Sequence, residues 1–144
     1  MKEVGALGTI FDNKGGVLLV HQTYKGSKWA WPGGIVKEDE APWKAVVREV
    51  KEETGLEVEV VRLISIYHVA DHNSLGFQFL CRVTGGELSV DVREISEAKF
   101  FDPAQLPAPM TEPGRQRVAD ALANATQPIL REYRTLEIDE ASPT

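Results

Sequence analysis

The chain has 144 residues, of which 42% are hydrophobic and 26% charged, and its formal net charge is −6. This composition is typical of one soluble globular domain, and an acidic chain without a long Lys/Arg run is a poor candidate for binding duplex nucleic acid. Cys81 is the only cysteine, which excludes an internal disulfide and favours a reducing compartment. No segment has the apolar length of a signal peptide or a membrane span, so we expect a cytoplasmic protein without a membrane partner.

The first predicted elements are two apolar runs, ALGTIF and VLLVHQ, which flank the turn sequence DNKGG. Apolar runs around an Asn/Gly turn predict a β-hairpin. A loop with Trp29 and Trp31 follows and closes with Pro32 and a glycine pair. A helix is predicted next, with Pro42 in its first turn, where the missing N–H costs nothing, and Gly55 at its end.

The second half of the chain predicts further strands and one more helix. LEVEVVRLISIYHVA and LGFQFLCRVTGG indicate strands, KFFD a short one, and EPGRQRVADALANA a helix with apolar residues at helical spacing. The sum is an α+β fold, a mixed sheet with two helices packed on it. We expect one domain over residues 1–136, and the small, acidic residues 137–144 predict a frayed tail.

The first predicted helix carries two distinct faces. Glu49, Glu52 and Glu53 stand at i, i+3 and i+4, so their side chains are neighbours that repel one another. Such a run is usually a solvated face, here with Arg48 pairing to Glu52. Converging carboxylates are also the hard oxygen ligands that suit Mg²⁺ or Mn²⁺. The other face is an apolar stripe predicted to meet the core, formed by Trp43, Val46, Val47 and Val50.

The residues before this helix complete a longer pattern. Gly34 is followed six positions later by Glu40, and then come Arg48-Glu49, an aliphatic residue, Glu52-Glu53, a glycine and a leucine. Over residues 34–56 this pattern resembles the Nudix box, and every specified position matches. The approach sequence WAWPGG and the order of elements over residues 1–126 are also similar to the Nudix family.

The resemblance implies a fold, an activity and a metal site. The fold is an α/β/α sandwich, and the activity is hydrolysis of a nucleoside diphosphate linked to another group, by attack of water on phosphorus with Mg²⁺ or Mn²⁺ as cofactor. By the same resemblance Glu49, Glu52, Glu53 and the carbonyl of Gly34 would bind metal. Arg48 would orient Glu52 or Glu49, and Glu40 would fix the geometry between loop and helix.

The general base and the substrate contacts are less constrained by the sequence. By its place before Phe100-Phe101, Glu94 resembles a late-loop glutamate that serves some family members as metal ligand or base; Glu97 is the alternative there, and a box glutamate remains another candidate base. Basic and aromatic side chains outside the box would contact phosphates or stack on a base. These candidate substrate-binding residues are Lys25, Lys28, Trp29 and Arg82.

Two other readings of the chain stay open. One is a Nudix-fold module that binds nucleotides without turnover, and the other is a structural domain with a salt-bridged acidic helix. His68, Asp71 and His72 do not match a recognised zinc spacing and are interpreted as loop polarity. Cys81 is interpreted as a buried apolar residue. The expected partner is a small nucleotide, and the oligomeric state is left open, a homodimer included.

Overall fold

The computed structural model describes residues 3–23, 27–90 and 95–135, and the backbone of residues 138–139. Its strands form two five-stranded sheets, and two helices are present in this part of the chain. The first sheet is mixed and has the order β4-β1-β6-β5-β9. Its strands are β1 (Glu3–Ile10), β4 (Gly33–Ile35), β5 (Leu56–Val69), β6 (Ser74–Gly86) and β9 (Ile129–Tyr133).

The second sheet has the order β10-β8-β3-β2-β7. The predicted α+β class with a mixed sheet is confirmed, with the strands divided between two sheets. None of the helices in the described residues is long and apolar enough to span a bilayer. The remaining elements are β2 (Val17–Gln22), β3 (Trp29–Ala30), β7 (Ile95–Phe101), β8 (Met110–Thr111), β10 (Ile138–Asp139), α1 (Pro42–Thr54) and α2 (Glu112–Leu122).

Strands β1 and β2 do not form the predicted hairpin. They belong to different sheets, and only Phe11 and Val17 meet, in an isolated bridge. The run from Val17 to Val20 is fully buried at every position. A strand with one solvated face would alternate between buried and exposed residues, so β2 is covered on both faces. The hairpin prediction was therefore wrong, and the turn instead carries the chain from one sheet to the other.

Helix α1 has the predicted limits. Gly55 follows it with φ 78°, and its N–H donates to the carbonyl of Lys51, which is the left-handed ending that glycine favours. Val46 and Val50 are fully buried against β1, where Gly8 leaves room: a Cβ at Gly8 would lie 3.1 Å from Val50 Cγ2. The absence of a side chain there lets the helix pack close to the sheet.

The buried face of α1 differs from the predicted stripe at several residues. Trp43 is 57% exposed, whereas Ala45 and Glu53 are buried together with the valines. The spacing of apolar residues gives a helix face, but the position of the sheet beneath it decides how far that face is covered. Glu53 thus lies on the side of α1 that faces the sheet.

Candidate active site

Helix α1 brings Glu53 against strand β4. Glu53 is only 6% exposed, and its Oε1 accepts a hydrogen bond of 2.7 Å from the backbone N–H of Gly33. Strand β4 runs antiparallel to β1, with Leu7 opposite Gly33 and Ala6 opposite Gly34. A carboxylate is costly to bury unless it is hydrogen-bonded or paired, so this contact fixes the side chain at the start of β4.

Gly34 lies directly beside the carboxylate of Glu49. A Cβ added at Gly34 would stand 2.7 Å from the Glu49 carboxyl carbon, closer than real Cβ contacts. The absence of a side chain at Gly34 therefore lets the Glu49 carboxylate pack directly against the backbone of β4. The backbone of β4 and the helix carboxylates approach each other as the sequence pattern predicts.

Arg48 connects the loop before α1 with the helix itself. Its Nε and Nη2 donate to the two oxygens of Glu40 at 2.8 and 2.9 Å, and its Nη1 donates to Glu49 Oε1 at 2.7 Å. A weaker contact of 3.3 Å joins Nη1 to Glu52, and Nη2 also donates to the carbonyl of Ile35. A planar guanidinium with five donors is suited to such a fork. Arg48 thus positions Glu49 and ties β4, the loop and α1 together.

The fork lowers the pKa of Glu40. The hydrogen bonds from Arg48 are the main cause and the backbone N–H of Lys37 adds to them, so that the pKa falls from 4.5 to about 2. The same pairing raises the pKa of Arg48. Glu40 therefore stays ionised and bound to Arg48 at neutral pH.

The lowered pKa of Glu40 gives a test by acid denaturation. A carboxyl whose folded-state pKa is depressed stabilises the fold above its unfolded pKa and loses that contribution as pH falls through the folded value. We expect Glu40→Gln to reduce the free energy of unfolding at neutral pH, with the gap to wild type closing as pH falls from 4.5 to about 2. Glu38→Gln, on the same exposed loop, is the control. A gap that does not change with pH would contradict the ion pair.

The donor set of this region fits a hard divalent cation. Its carboxylates are oxygen ligands of the kind that Mg²⁺ and Mn²⁺ prefer. Across residues 3–23, 27–90 and 95–135, no three His, Cys, Asp or Glu side chains are arranged as a ready set of metal ligands. Glu49 and Glu53 instead point at Arg48 and Gly33, and Glu52 is exposed. Glycine at position 34 lets the Glu49 carboxylate lie against the backbone of β4.

The predicted substrate residues are not gathered in one place. Lys28 lines a cavity of about 250 Å³ that also borders Gly33 and Gly34. The Trp29 ring packs against His21 and Phe101, with centroids 4.9 and 4.8 Å away. Arg82 is exposed on β6, is ion-paired with Glu59, and is not among the cavity residues. Lys25 and Glu94 lie outside the described residues.

The other polar candidates have ordinary surroundings. Glu97 is exposed on β7 and pairs with Lys99 at 3.7 Å. His68 contacts Asn73 at 3.3 Å, in the turn that also holds His72. Cys81 is buried, and burial raises the pKa of its thiol to about 12. That thiol is therefore unsuited to act as a nucleophile.

Sequence reasoning missed the polar groups inside the cavity. Arg117 of α2, Gln22 of β2 and Tyr67 of β5 all line it. They come from three elements that are distant in sequence, and no local spacing relates them. In the sequence, each of them resembles any other residue of its helix or strand. Their common position at the cavity follows only from the packing of the two sheets.

The chain is similar to a known family and to several known proteins. The model of the NUDIX domain matches residues 1–122. A MutT-like protein of Streptomyces ambofaciens is 30% identical over 125 residues, which cover 87% of this chain and 80% of that protein. An ADP-ribose pyrophosphatase of Methanocaldococcus jannaschii is 41% identical over 67% of this chain.

The lengths of the relatives differ from that of the chain. The chain spans 59% of the length of the Methanocaldococcus protein. An NAD-capped RNA hydrolase NudC of Vibrio atlanticus is 34% identical over 77% of this chain, and the match covers 42% of that protein. Among solved structures, an ADP-ribose pyrophosphatase of Streptococcus suis 89-1591 superposes with a TM-score of 0.73 and 26% identity. That match covers 92% of this chain and 99% of the other.

Proposed function

Since the chain belongs to the Nudix hydrolase family, we propose that it hydrolyses a phosphoanhydride bond in a nucleoside diphosphate linked to another group. The cofactor would be Mg²⁺ or Mn²⁺, and Glu49, Glu52, Glu53 and the carbonyl of Gly34 would hold it. The observation that carries this proposal is the approach of two helix carboxylates to the two glycines of β4. Both carboxylates therefore lie next to the cavity that Gly33 and Gly34 line, where an oxygen-rich metal site would be adjacent to a bound substrate.

The protein's own residues have separable tasks in this mechanism. A divalent cation held by these residues would neutralise part of the pyrophosphate charge and would lower the pKa of the attacking water. Arg48 keeps Glu49 in place and neutralises part of the carboxylate charge, while Glu40 holds Arg48. Gly33 holds Glu53 through its N–H. The proton of the attacking water passes to a carboxylate oxygen, either of a box glutamate or of Glu94.

The substrate lies with its pyrophosphate near Gly34 and one of its flanking groups in the adjoining cavity. The cavity is lined in part by Gly33 and Gly34, so a bound substrate would contact the site and the cavity together. The names of the relatives put ADP-ribose and the NAD cap of RNA among the first substrates to try. In a fold that hosts many functions, the loops outside the Nudix box determine which of these substrates binds.

A nucleotide panel tests the proposed function. The protein is freed of metal, incubated with ADP-ribose, NADH, sugar nucleotides and nucleoside triphosphates, and assayed by chromatography with Mg²⁺, with Mn²⁺ and with excess EDTA. We expect at least one compound to be split at its phosphoanhydride only when metal is present. Full turnover in EDTA would contradict the metal mechanism, and binding without any products would favour a non-catalytic nucleotide-binding module.

A further inference from the structure

The side chain of His21, on β2, links two segments that are far apart in the sequence. Its Nε2 lies 2.7 Å from the backbone oxygen of Ser27, and its Nδ1 lies 2.7 Å from the hydroxyl oxygen of Ser96, near the start of β7. In the sheet, His21 stands opposite Trp29 of β3 and Glu97 of β7. The imidazole therefore adds side-chain bonds where β2 already pairs with both of its neighbours.

The partners of the ring determine where its proton lies. A backbone carbonyl can only accept, so Nε2 carries a hydrogen and donates it to Ser27. In the neutral ring, Nδ1 then accepts from the hydroxyl of Ser96. When Nδ1 is protonated, it donates to Ser96, whose hydroxyl can donate in turn to the carbonyl of His21, 3.3 Å away. The bond to Ser27 is therefore kept in both charge states of the ring.

The residue that His21 holds has an unusual backbone. Ser27 has φ 52°, in the left-handed region that residues other than glycine rarely enter. Such a conformation persists where surrounding contacts hold it, and it is found most often at functional sites. The hydrogen bond from His21 is a contact that holds Ser27 in this conformation.

Ser27 leads directly into the wall of the cavity beside β4. Lys28, the next residue, lines that cavity. The carbonyl of Lys28 accepts a hydrogen bond of 2.9 Å from the N–H of Gln22, whereas the bond from His21 holds the residue before it. The backbone at Lys28 is thus fixed at two successive carbonyls, both of them by neighbouring residues at the end of β2.

Packing restrains the imidazole itself. The centre of its ring lies 4.9 Å from that of Trp29, which meets Phe101 edge-on at 4.8 Å. A side chain that is already held by its neighbours loses little rotamer freedom when it forms hydrogen bonds. His21 is therefore a stiff link between β2 and Ser27.

We propose that His21 is a positioning residue for substrate binding: it holds Ser27 so that Lys28 meets the anionic nucleotide at a fixed place in the cavity. This role rests on the proposed function, because the nucleotide is the one that would be hydrolysed beside α1. His21 lies outside the Nudix box, and its hydrogen bonds go to Ser27 and Ser96. Its loss should therefore weaken substrate binding and leave the metal requirement unchanged.

Two substitutions separate the hydrogen bond of His21 from its ring. His21→Phe keeps a ring beside Trp29 but has no donor, whereas His21→Gln loses the ring and offers an amide N–H near the place of Nε2. For the panel compound that wild type splits fastest, we expect His21→Phe to raise KM about three- to tenfold, the factor that corresponds to one lost hydrogen bond. Both kcat and the half-saturating Mg²⁺ concentration should stay within about twofold.

Rescue by glutamine distinguishes positioning from packing. His21→Gln should have a KM within about twofold of wild type, because it retains the donor to Ser27. An unchanged KM in His21→Phe, or an equal rise of KM in both variants, would overturn the proposal. A lower Tm and a lower kcat with an unchanged KM would show a merely structural role and would also overturn it.

A double-mutant cycle tests whether His21 acts through Lys28. Lys28→Met alone should raise KM, because it removes the charge that meets the nucleotide. Adding His21→Phe to Lys28→Met should raise KM by less than about twofold more, since the residue that His21 positions is then absent. Effects that multiply in full would show that His21 acts elsewhere.

His72→Phe is the matched control. His72 is exposed in the turn between β5 and β6 and is not among the residues that line the cavity. The same exchange of imidazole for phenyl should leave KM and kcat as in wild type. A rise of KM as large as that in His21→Phe would show that an added apolar ring is the cause and would refute the role of His21.

Amide hydrogen exchange tests the anchoring without turnover. The N–H of Gln22 donates to Lys28 at 2.9 Å, and the N–H of Trp29 donates to Pro109 at 2.8 Å. In the nucleotide-free protein both should exchange severalfold faster in His21→Phe than in wild type, because loss of the link lets the end of β2 and the start of β3 open more often. Equal exchange in the two proteins would overturn the proposal.

The remaining outcomes also decide the proposal. If wild type splits no compound of the panel, the proposed function fails and the effect on KM falls with it, while hydrogen exchange still decides whether His21 anchors Ser27. If His21→Phe does not fold, Ser96→Ala takes its place, since it removes the partner of Nδ1. Ser96→Ala must then raise KM at least twofold, or the proposal is refuted.

Discussion

Glu53→Gln is expected to reduce kcat by about 10²-fold or more, because it removes a ligand charge from the proposed cation site. The substitution changes charge but hardly changes shape, and the amide oxygen of Gln can still accept the hydrogen bond from Gly33 that Glu53 Oε1 accepts at 2.7 Å. The fold should therefore persist. Steady-state kinetics at saturating Mg²⁺, together with a thermal melt in EDTA, separate a loss of chemistry from a loss of structure.

The control for this variant is another glutamate of the same region that has no part in the site. Glu57, on β5, is exposed, and its Oε1 lies 3.6 Å from Lys51 Nζ. Exposed ion pairs contribute little, so Glu57→Gln should leave turnover unchanged. A Glu53→Gln enzyme with a rate within about twofold of wild type would mean that Glu53 is not a ligand of an essential cation.

Arg48→Lys is expected to lower kcat by about 10–100-fold, the range seen when residues that orient metal ligands are lost. Lysine keeps the positive charge but presents a single ammonium group, which cannot hold both oxygens of Glu40 and Glu49 Oε1 at once. Since Arg48 acts by positioning Glu49, the concentration of Mg²⁺ needed for half-maximal rate should rise. KM for the nucleotide should change less than kcat.

The same exchange on a neighbouring strand is the control for Arg48. Arg62 lies on β5, outside the segment that carries the carboxylates of α1, and Arg62→Lys should not alter the dependence of rate on metal. A structural role for Arg48 would lower Tm and reduce all rates without shifting the metal requirement. That pattern would reject a positioning role.

The limits of α1 and its carboxylates could be predicted because their determinants are local. Pro42 and Gly55 set the two ends of the helix, and the spacing of the glutamates places them along it. The contact of Glu53 with Gly33 lies in the same continuous segment of chain, but it was not predicted, because the spacing placed Glu53 on the face that does not meet the core. A motif that holds its own loop, helix and ligands within 23 residues can be recognised without knowledge of the sheets.

The division of strands between two sheets could not be predicted in the same way. The burial of the strand that begins at Val17 depends on the elements that pack on its two faces. Its apolar residues alone did not distinguish a strand of a hairpin from a strand covered on both faces. Trp43 matched the helical stripe but is exposed, because the stripe does not show where the sheet ends. Arg117 and Gln22 line the same cavity only because of the fold, so the polar groups of the cavity left no signal in the sequence.

A Mn²⁺ titration followed by electron paramagnetic resonance tests most directly whether carboxylates of α1 bind the catalytic cation. The signal of free Mn²⁺ is measured as metal-free protein is added, for wild type, Glu53→Gln and Glu57→Gln. We predict that wild type and Glu57→Gln bind Mn²⁺ with the same affinity, and that Glu53→Gln binds it about tenfold more weakly or worse. Equal affinity in all three proteins would contradict the claim.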